Sequence, residues 1–387
     1  MLPGISKPLF VTGSQLPLFY QQGSNYPLLF NTDALRNVLG AIQFMTFGIP
    51  EVGLYFADTL MRGNRVVKSN ASQFTAFSSP NYPALGTYGV VPVLNDSLIL
   101  PTPSVNSLDN NIQKVSANLA AIAQNINQNS VIQFLLFPAY YNSTTGASLL
   151  VSMLSQLQSA SPQVKGIIFE SFGSGNIPDF AQMQTLLQGF NNKGTIMVDC
   201  TQVYSGEVNY NIYATGAWLK GAGVIGSYDM IPTAALTKLV VLLALNPTQV
   251  RTLMATNLAG EITSFYALSG YQNEFLVPGE SLFSINGNYQ FTNEATGTLA
   301  LYDISGTTPK LIWSQVNGAQ GRLVMQADCN LVFYNKDFKP LWSTNTQRIG
   351  TNAVFQVNSN GSLSINDLYT GALIYQIYSP TQIALAS

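Results

Sequence analysis

The sequence predicts a multidomain chain, an α/β part with mostly parallel sheets and flanking helices followed by an all-β module with a threefold internal repeat. Three observations carry this. The first half alternates apolar strand-like runs with stretches of helical periodicity, the order that builds parallel sheets flanked by helices. A Pro- and Ser-rich stretch, Pro101 to Ser107, breaks that alternation into two parts. Near the C-terminus a row of residues at alternate positions recurs in decayed form before and after its best copy, the mark of a repeat fold.

In chain order, Lys7-Pro-Leu-Phe-Val-Thr12 is a short apolar strand ended by Gly13-Ser14, residues 32–46 are helical, and Glu51-Val-Gly-Leu-Tyr-Phe56 is a second strand. Strand, helix and strand in succession predict a largely parallel sheet. Residues 80–88, rich in Pro, Gly, Asn and Tyr, read as an irregular loop. Beyond the linker at 101–107, Ile112, Val115, Leu119, Ile122 and Ile126 mark one helix face, with Asp109 near a cap. A strand at 131–137, a helix at 149–157, a strand at 164–169, a helix at 180–190 and a strand at 195–199 then make a second doubly wound unit. The domains expected are 1–105, 106–265 and 275–387.

Composition excludes several functions. Only 9% of residues are charged and the net charge is -2, so no basic surface exists to track phosphates, and nucleic acid is a poor partner. No apolar run approaches 18 residues, so no membrane span is expected. The chain has no His, which removes His-based triads and ordinary zinc sites; no metal and no cofactor are expected. A nearly neutral polar surface favours self-association.

The repeated row is Gln326-Ala-Asp328-Cys-Asn330-Leu-Val332-Phe-Tyr334. On a strand, its alternate residues project from one face. There Asp328 accepts hydroxyl protons, Gln326 and Asn330 donate and accept, Tyr334 adds a hydroxyl, and Val332 meets ring carbons. The spacing resembles the signature of the monocot mannose-binding, bulb-type lectins, as does Lys339-Pro-Leu-Trp-Ser-Thr-Asn-Thr346. The resemblance implies a β-prism II of three four-stranded sheets that binds mannose-type glycans without metal. Weaker copies of the row lie at 294–302 and 358–366, and Trp313, Trp342 and Tyr375 follow the three copies as expected shared core aromatics. Leu276 to Leu282 resembles the family's opening strand. In many such lectins the cysteine of this row is paired, and the position matching its partner is Ala353. With Cys200 and Cys329 far apart and no secretory signal, a cytoplasmic location is expected.

Five other segments resemble, in order, motifs of the bacterial-type L-asparaginases: Phe10-Val-Thr-Gly-Ser-Gln15, Arg62-Gly-Asn-Arg-Val-Val-Lys68, Phe77-Ser-Ser-Pro-Asn-Tyr82, Phe172-Gly-Ser-Gly-Asn-Ile-Pro178 and Asp229-Met-Ile-Pro-Thr-Ala-Ala-Leu-Thr-Lys238. They span about Lys7 to Leu258. The resemblance implies a truncated asparaginase-like α/β fold with Lys68 at the family's catalytic lysine. The family's Thr-Gly-Gly-Thr-Ile strand and Gly-Thr-Asp-Thr segment occur nowhere in the 387 residues. Thr12 is no substitute, because its motif aligns with a later strand. Lys68 is therefore expected to be a remnant, solvated or at a helix end, in an inactive scaffold that assembles as a homo-oligomer.

The remaining residues have plainer readings. Gly173-Ser-Gly175-Asn176 either cradles an anion or makes a tight strand-to-helix turn. Asp229 and Lys238 fit the start and face of an amphipathic helix. Glu170 and Asp199 end strands, where α/β sites lie. A sheet lacking its leading strands should also expose an edge that another chain covers.

Three functions follow from this reading. The leading expectation is a mannose-binding lectin displayed on a catalytically inactive asparaginase-like scaffold. The alternatives are a self-assembling structural or storage protein, and an amidohydrolase completed by a partner chain.

Overall fold

A computed structural model describes residues 5–95, 98–100, 112–126, 129–208, 214–255, 257–263, 267–270, 273–284, 288–306, 308–347, 353–368 and 371–380. The linker at 101–107 and the cap at Asp109 lie outside the described residues. The chain divides into two compact units, Met1–Ala255 with Ala259–Ile262, and Thr256–Leu258 with Thr263–Ser387. No helix among the described residues is long and apolar enough to cross a membrane.

The first unit opens with β1 (Leu9–Val11), α1 (Ala34–Met45), β2 (Val52–Phe56), β3 (Thr59–Arg62), β4 (Val67–Lys68), β5 (Phe77–Ser78), β6 (Gly86–Tyr88) and β7 (Pro92–Leu94). One sheet has the order β1-β2-β3-β6-β7, while β4 and β5 form a separate ladder. Only β1 and β2 run parallel; the other neighbours are antiparallel, which corrects the parallel sheet expected here. The cause is a two-residue turn, Ala57-Asp58, with φ of 45° and 63°. Positive φ at both positions matches the strand twist of a tight hairpin. Those positions usually carry Asn or Gly, so Ala-Asp hid the hairpin in the sequence.

Helix α1 buries Ala34, Asn37, Gly40, Ala41 and Phe44 against this sheet. Gly40 is there because Tyr55 passes beneath it; a Cβ at 40 would lie 2.1 Å from the Tyr55 hydroxyl oxygen. Burial, and then the nearby Asp58 carboxylate, pushes the Tyr55 phenol up to about 12.

The second part of this unit contains α2 (Ile112–Asn125), β8 (Val131–Leu135), α3 (Leu149–Gln158), β9 (Gly166–Ser171), α4 (Ala181–Asn192), β10 (Ile196–Thr201), α5 (Ala214–Gly221), β11 (Val224–Gly226), α6 (Pro232–Leu245) and α7 (Val250–Met254). Its four strands are all parallel, in the order β11-β10-β9-β8. β9 and β10 read as near-continuous apolar runs because both of their faces are covered. Ile167, Phe169 and Met197 pack with Leu187 and Phe190 of α4. Pro232 is well placed in the first turn of α6, where its missing N–H costs nothing. Lys238, expected on an amphipathic helix, lies on the buried face of α6. It is 9% exposed, bonded to Glu261 at 2.7 Å and to the Met254 carbonyl at 3.1 Å.

Motifs distant in sequence meet in one buried polar cluster. Arg65 donates to Asp229 Oδ2 at 2.8 Å and to the Gly260 carbonyl at 2.7 Å. Arg62 pairs with Glu51 at 2.5 and 3.0 Å and donates to the Leu98 carbonyl at 2.8 Å. Burial works against charge on Arg62, but the Glu51 carboxylate outweighs it and the pKa is raised. Both guanidinium groups lie over the Tyr82 ring, at 4.4 and 5.1 Å from its centroid. Asn81 ties the same corner to the Asp229 and Gly206 carbonyls at 2.8 and 3.1 Å.

The second unit has three four-stranded antiparallel sheets. One holds Ala267–Ser269, Ala353–Val357, Leu363–Asp367 and Leu373–Tyr378. Another holds Phe275–Leu276, Gly321–Met325, Leu331–Asn335 and Pro340–Ser343, and the third Ser281–Phe283, Tyr289–Asn293, Thr298–Asp303 and Lys310–Val316. Phe291, Phe333 and Phe355, one from each, are buried in a common core that Trp313 and Trp342 flank. Tyr375, expected beside them, is exposed; Ile374, Ile377 and Tyr378 fill that role in its sheet.

Two substitutions test this packing. Gly40→Ala forces a methyl into the Tyr55 ring and should lower stability by about 1–3 kcal/mol in urea unfolding. Gly221→Ala, which meets open space, should change it by less than about 0.5 kcal/mol. Arg65→Met strands a buried carboxylate and should cost about 3–5 kcal/mol. Adding Asp229→Asn should recover part of that loss; simple addition of the two penalties would contradict a coupled pair.

Candidate functional site

The chain after β1 turns sharply at Thr12 to Leu16, and a carboxylate holds the turn. Asp33, just before α1, accepts from the Gln15 amide at 3.0 Å and the Leu16 amide at 3.1 Å. Buried Asn37 adds three tethers. Its Nδ2 donates to the Gly13 carbonyl at 2.9 Å and to Asp33 at 3.1 Å, while its Oδ1 accepts from the Ala57 amide at 3.0 Å. Thr12 is committed, its hydroxyl donating to the Tyr55 carbonyl at 2.9 Å.

Lys68 faces this turn from β4. Its Nζ donates to Gln15 Oε1 at 3.4 Å and stands 5.7 Å from the Phe77 ring centroid. Gln15 is in turn oriented by its Nε2 donating to the Gln73 carbonyl at 2.9 Å. Phe77 packs on Phe56, so aromatic side chains back the amine. Lys68 is exposed and on a strand, not at a helix end. Among the described residues no carboxylate pairs with it. Such an amine is placed to exchange a proton with a hydroxyl or amide brought against Gln15.

The other candidates do not converge on a site. Gly173 and Gly175 take φ of 53° and 103° in a turn closed by the Phe172–Asn176 bridge, with Thr201 donating to the Gly173 carbonyl at 2.5 Å. This is the tight turn that glycine permits. Glu170 accepts from Gln133 at 2.6 Å and lies opposite Cys200 in the sheet, whereas Asp199 lies opposite Phe169. One step of register puts the two carboxylates on opposite faces, so they cannot act as a pair. Cys200 and Cys329 are buried and form no disulfide among the described residues, and burial pushes the Cys200 thiol up.

The row at 326–334 also differs from expectation. Only Val332 and Tyr334 lie on a strand; Gln326 to Asn330 form the hairpin turn before it, with Cys329 at φ 72°. Its polar atoms serve the fold. Gln326 Nε2 donates to the Tyr334 hydroxyl at 2.8 Å, and Asp328 Oδ1 accepts from the Asn330 amide at 3.0 Å. Asn330 is buried, its Oδ1 accepting from Thr344 at 3.1 Å and the Thr346 amide at 3.3 Å, and Val332 is buried too. The register slipped because a nine-residue alternation was read as one strand, when Asp and Asn at its centre make a turn.

The first unit is related to known proteins. The Asparaginase, N-terminal family model matches residues 1–99, and the Glutaminase/Asparaginase C-terminal domain model matches 149–254. L-asparaginase 1 of Escherichia coli K12 is 34% identical over 266 residues, which are 68% of this chain and 69% of that protein. The 60 kDa lysophospholipase of Mus musculus is 32% identical over 267 residues, 68% of this chain but only 41% of that protein. A glutamyl-tRNA(Gln) amidotransferase subunit of Pyrococcus horikoshii is 27% identical over 283 residues, 70% of this chain and 56% of that protein. The crystal structure of L-asparaginase I from Vibrio cholerae superposes with a TM-score of 0.52 at 30% identity, covering 68% of this chain and 70% of that one.

These findings overturn two expectations. A mannose-binding lectin with glycan partners gives way to an asparaginase-type function, since the relatives are asparaginases, a lysophospholipase and an amidotransferase subunit. The expectation of an inactive scaffold is not supported either, because the relatives include an L-asparaginase at 34% identity and the first unit shares the fold of another. That the threonine motifs do not occur in these 387 residues does not decide whether the protein is active. The chain belongs to the L-asparaginase family.

Proposed function

We propose that this chain is the lysine-bearing part of an asparaginase-type amidohydrolase whose nucleophilic hydroxyl comes from a partner polypeptide. The observation that carries the reading is Lys68, held beside Gln15 at the end of β1 in a unit 34% identical to an L-asparaginase. A relative named as an amidotransferase subunit supports the idea that such a unit works with other chains. In the reaction a hydroxyl attacks the side-chain amide carbon, ammonia leaves, and water then hydrolyses the acyl intermediate. Lys68 exchanges the proton lost by the hydroxyl and gained by the leaving nitrogen.

The first unit fits two asparaginase-like lobes, 1–105 and 106–265, joined through Arg65 and Asp229. The second unit, from about 275 to 387, is read as a prism of the bulb-lectin type, on the strength of its three four-stranded sheets. Here it is a structural module. Two buried cysteines that form no disulfide among the described residues agree with a reducing compartment such as the cytoplasm.

The test is ammonia release from L-asparagine by the assembled protein, with Lys68→Met beside it. Loss of the amine should reduce kcat by about 10²–10⁴-fold, with KM changed far less and the unfolding midpoint unmoved. Full activity in the variant, or no hydrolysis by the wild-type assembly, would sink the reading.

A further inference from the structure

Between β1 and α1 the chain makes a short hairpin whose outer face takes no part in the function proposed above. Its arms, residues 16–22 and 25–31, are joined through Gly23-Ser24, with Gly23 at φ 64°. Bridges pair Phe19 with Leu28 and Gln22 with Asn25. The Leu29 amide donates to the Leu18 carbonyl at 2.9 Å and the Tyr20 amide to the Pro27 carbonyl at 3.0 Å, while Gln22 and Asn25 exchange backbone bonds of 2.9 and 3.0 Å. That register sets Pro17 across from Phe30 and Gln21 across from Tyr26. Side chains alternate between the faces of a strand, so Pro17, Phe19, Gln21, Tyr26, Leu28 and Phe30 share one face, and Leu16, Leu18, Pro27 and Leu29 lie on the other.

The second face is half-buried, so it is the one turned to the protein. The first is exposed throughout, with Phe19, Leu28, Tyr26 and Phe30 at 50, 57, 63 and 102%. An antiparallel ribbon packed on one side ordinarily turns polar residues to water on the other, and here the outward residues are apolar or aromatic except Gln21. No Asp, Glu, Lys or Arg occurs from Pro8 to Thr32. The base of the hairpin is tied down, since Asp33 accepts from the Gln15 and Leu16 amides and the Thr32 hydroxyl donates to the Leu16 carbonyl at 3.1 Å. The apolar face is therefore displayed by a built element.

We propose that this hairpin docks the first unit on a membrane, its outer face lying flat in the interface of a lipid bilayer of no net charge. Charge selects the occupant. A stretch without a single ionic group gives an acidic or basic partner nothing to pair with, and entering the headgroup region strips water from no ion. The cross-strand bonds already satisfy backbone groups that an open loop would carry unpaired toward the acyl chains. Phe19, Leu28 and Phe30 supply apolar penetration, and Tyr26 and Gln21 keep polar groups at headgroup level. Area argues the same way. Three aromatic rings and a leucine, partly shielded, offer on the order of 500 Å². A standard protein interface needs about 800 Å² from each partner, so this face alone is too small for a stable contact with a second copy. Lipid requires no matching shape. The docking does not depend on Lys68, and it is peripheral, not a membrane span.

The test is co-sedimentation of the full chain with phosphatidylcholine vesicles. The chain should pellet with them, and Phe30→Asp, at a fully exposed position, should lower the partition coefficient at least tenfold with the unfolding midpoint unchanged. Phe30→Trp keeps the apolar face and serves as a second readout; its emission should shift to the blue when vesicles are added. Four results would overturn the proposal. They are no binding to phosphatidylcholine, binding that Phe30→Asp leaves intact, binding that appears only when phosphatidylserine is included, and a fall in the mass of the chain without vesicles on Phe30→Asp. The third would assign the contact to charges elsewhere on the molecule, and the fourth would give the face to a second copy of the chain.

Discussion

The first unit depends on one buried ion pair, Arg65 with Asp229, 164 residues apart in the chain and bonded at 2.8 Å. The Arg65 side chain is fully buried, so it must be satisfied on every side. Asp229 and the Gly260 carbonyl meet that requirement, and each comes from a different part of the chain. Gly260 contributes through its backbone. At φ 76° it turns its carbonyl to Arg65, and a Cβ there would fall 2.7 Å from Arg62 Nη1. The neighbouring Arg62–Glu51 pair repeats the logic against Tyr82. A buried pair of this kind adds little net stability over apolar packing, but it penalises every arrangement that leaves a charge unmatched. It therefore fixes how the antiparallel-edged sheet and the parallel sheet meet, and with that the frame around Lys68.

That frame explains why motifs that looked like catalytic remnants are structural. The Arg62-Gly-Asn-Arg65 and Pro80-Asn-Tyr82 segments and Asp229 all enter the buried cluster. Gln15 and Lys68 of these motifs lie outside the cluster and bond to each other at 3.4 Å. Sequence similarity to L-asparaginases thus serves two ends. Part of it preserves the joint between sheets, and part preserves an exposed lysine beside Gln15.

How much was legible in the sequence followed from how local each signal was. Strands β9 and β10 and helices α1, α3 and α4 were readable because their apolar periodicity is strong and unbroken. The β2–β3 hairpin was not, since Ala57 at φ 45° stands where such a turn usually carries Asn, Asp or Gly. Lys238 was misjudged because its partner Glu261 lies 23 positions on and nothing nearby announces burial. The row at 326–334 misled in the opposite sense: its alternation was real, but the Asp328 side chain closes a turn on the Asn330 amide, and the buried Asn330 side chain accepts from Thr344 and Thr346. Lys68 was legible as a position and not as a role, because its role depends on a hydroxyl from the partner polypeptide.

The account's central claim is that a lysine-bearing chain is completed by a second polypeptide. Native mass spectrometry of the protein isolated intact from its source tests this most directly. The account predicts a heteromeric species in which a second polypeptide carries a Thr-Gly-Gly-Thr segment. A species made only of copies of this chain would contradict it.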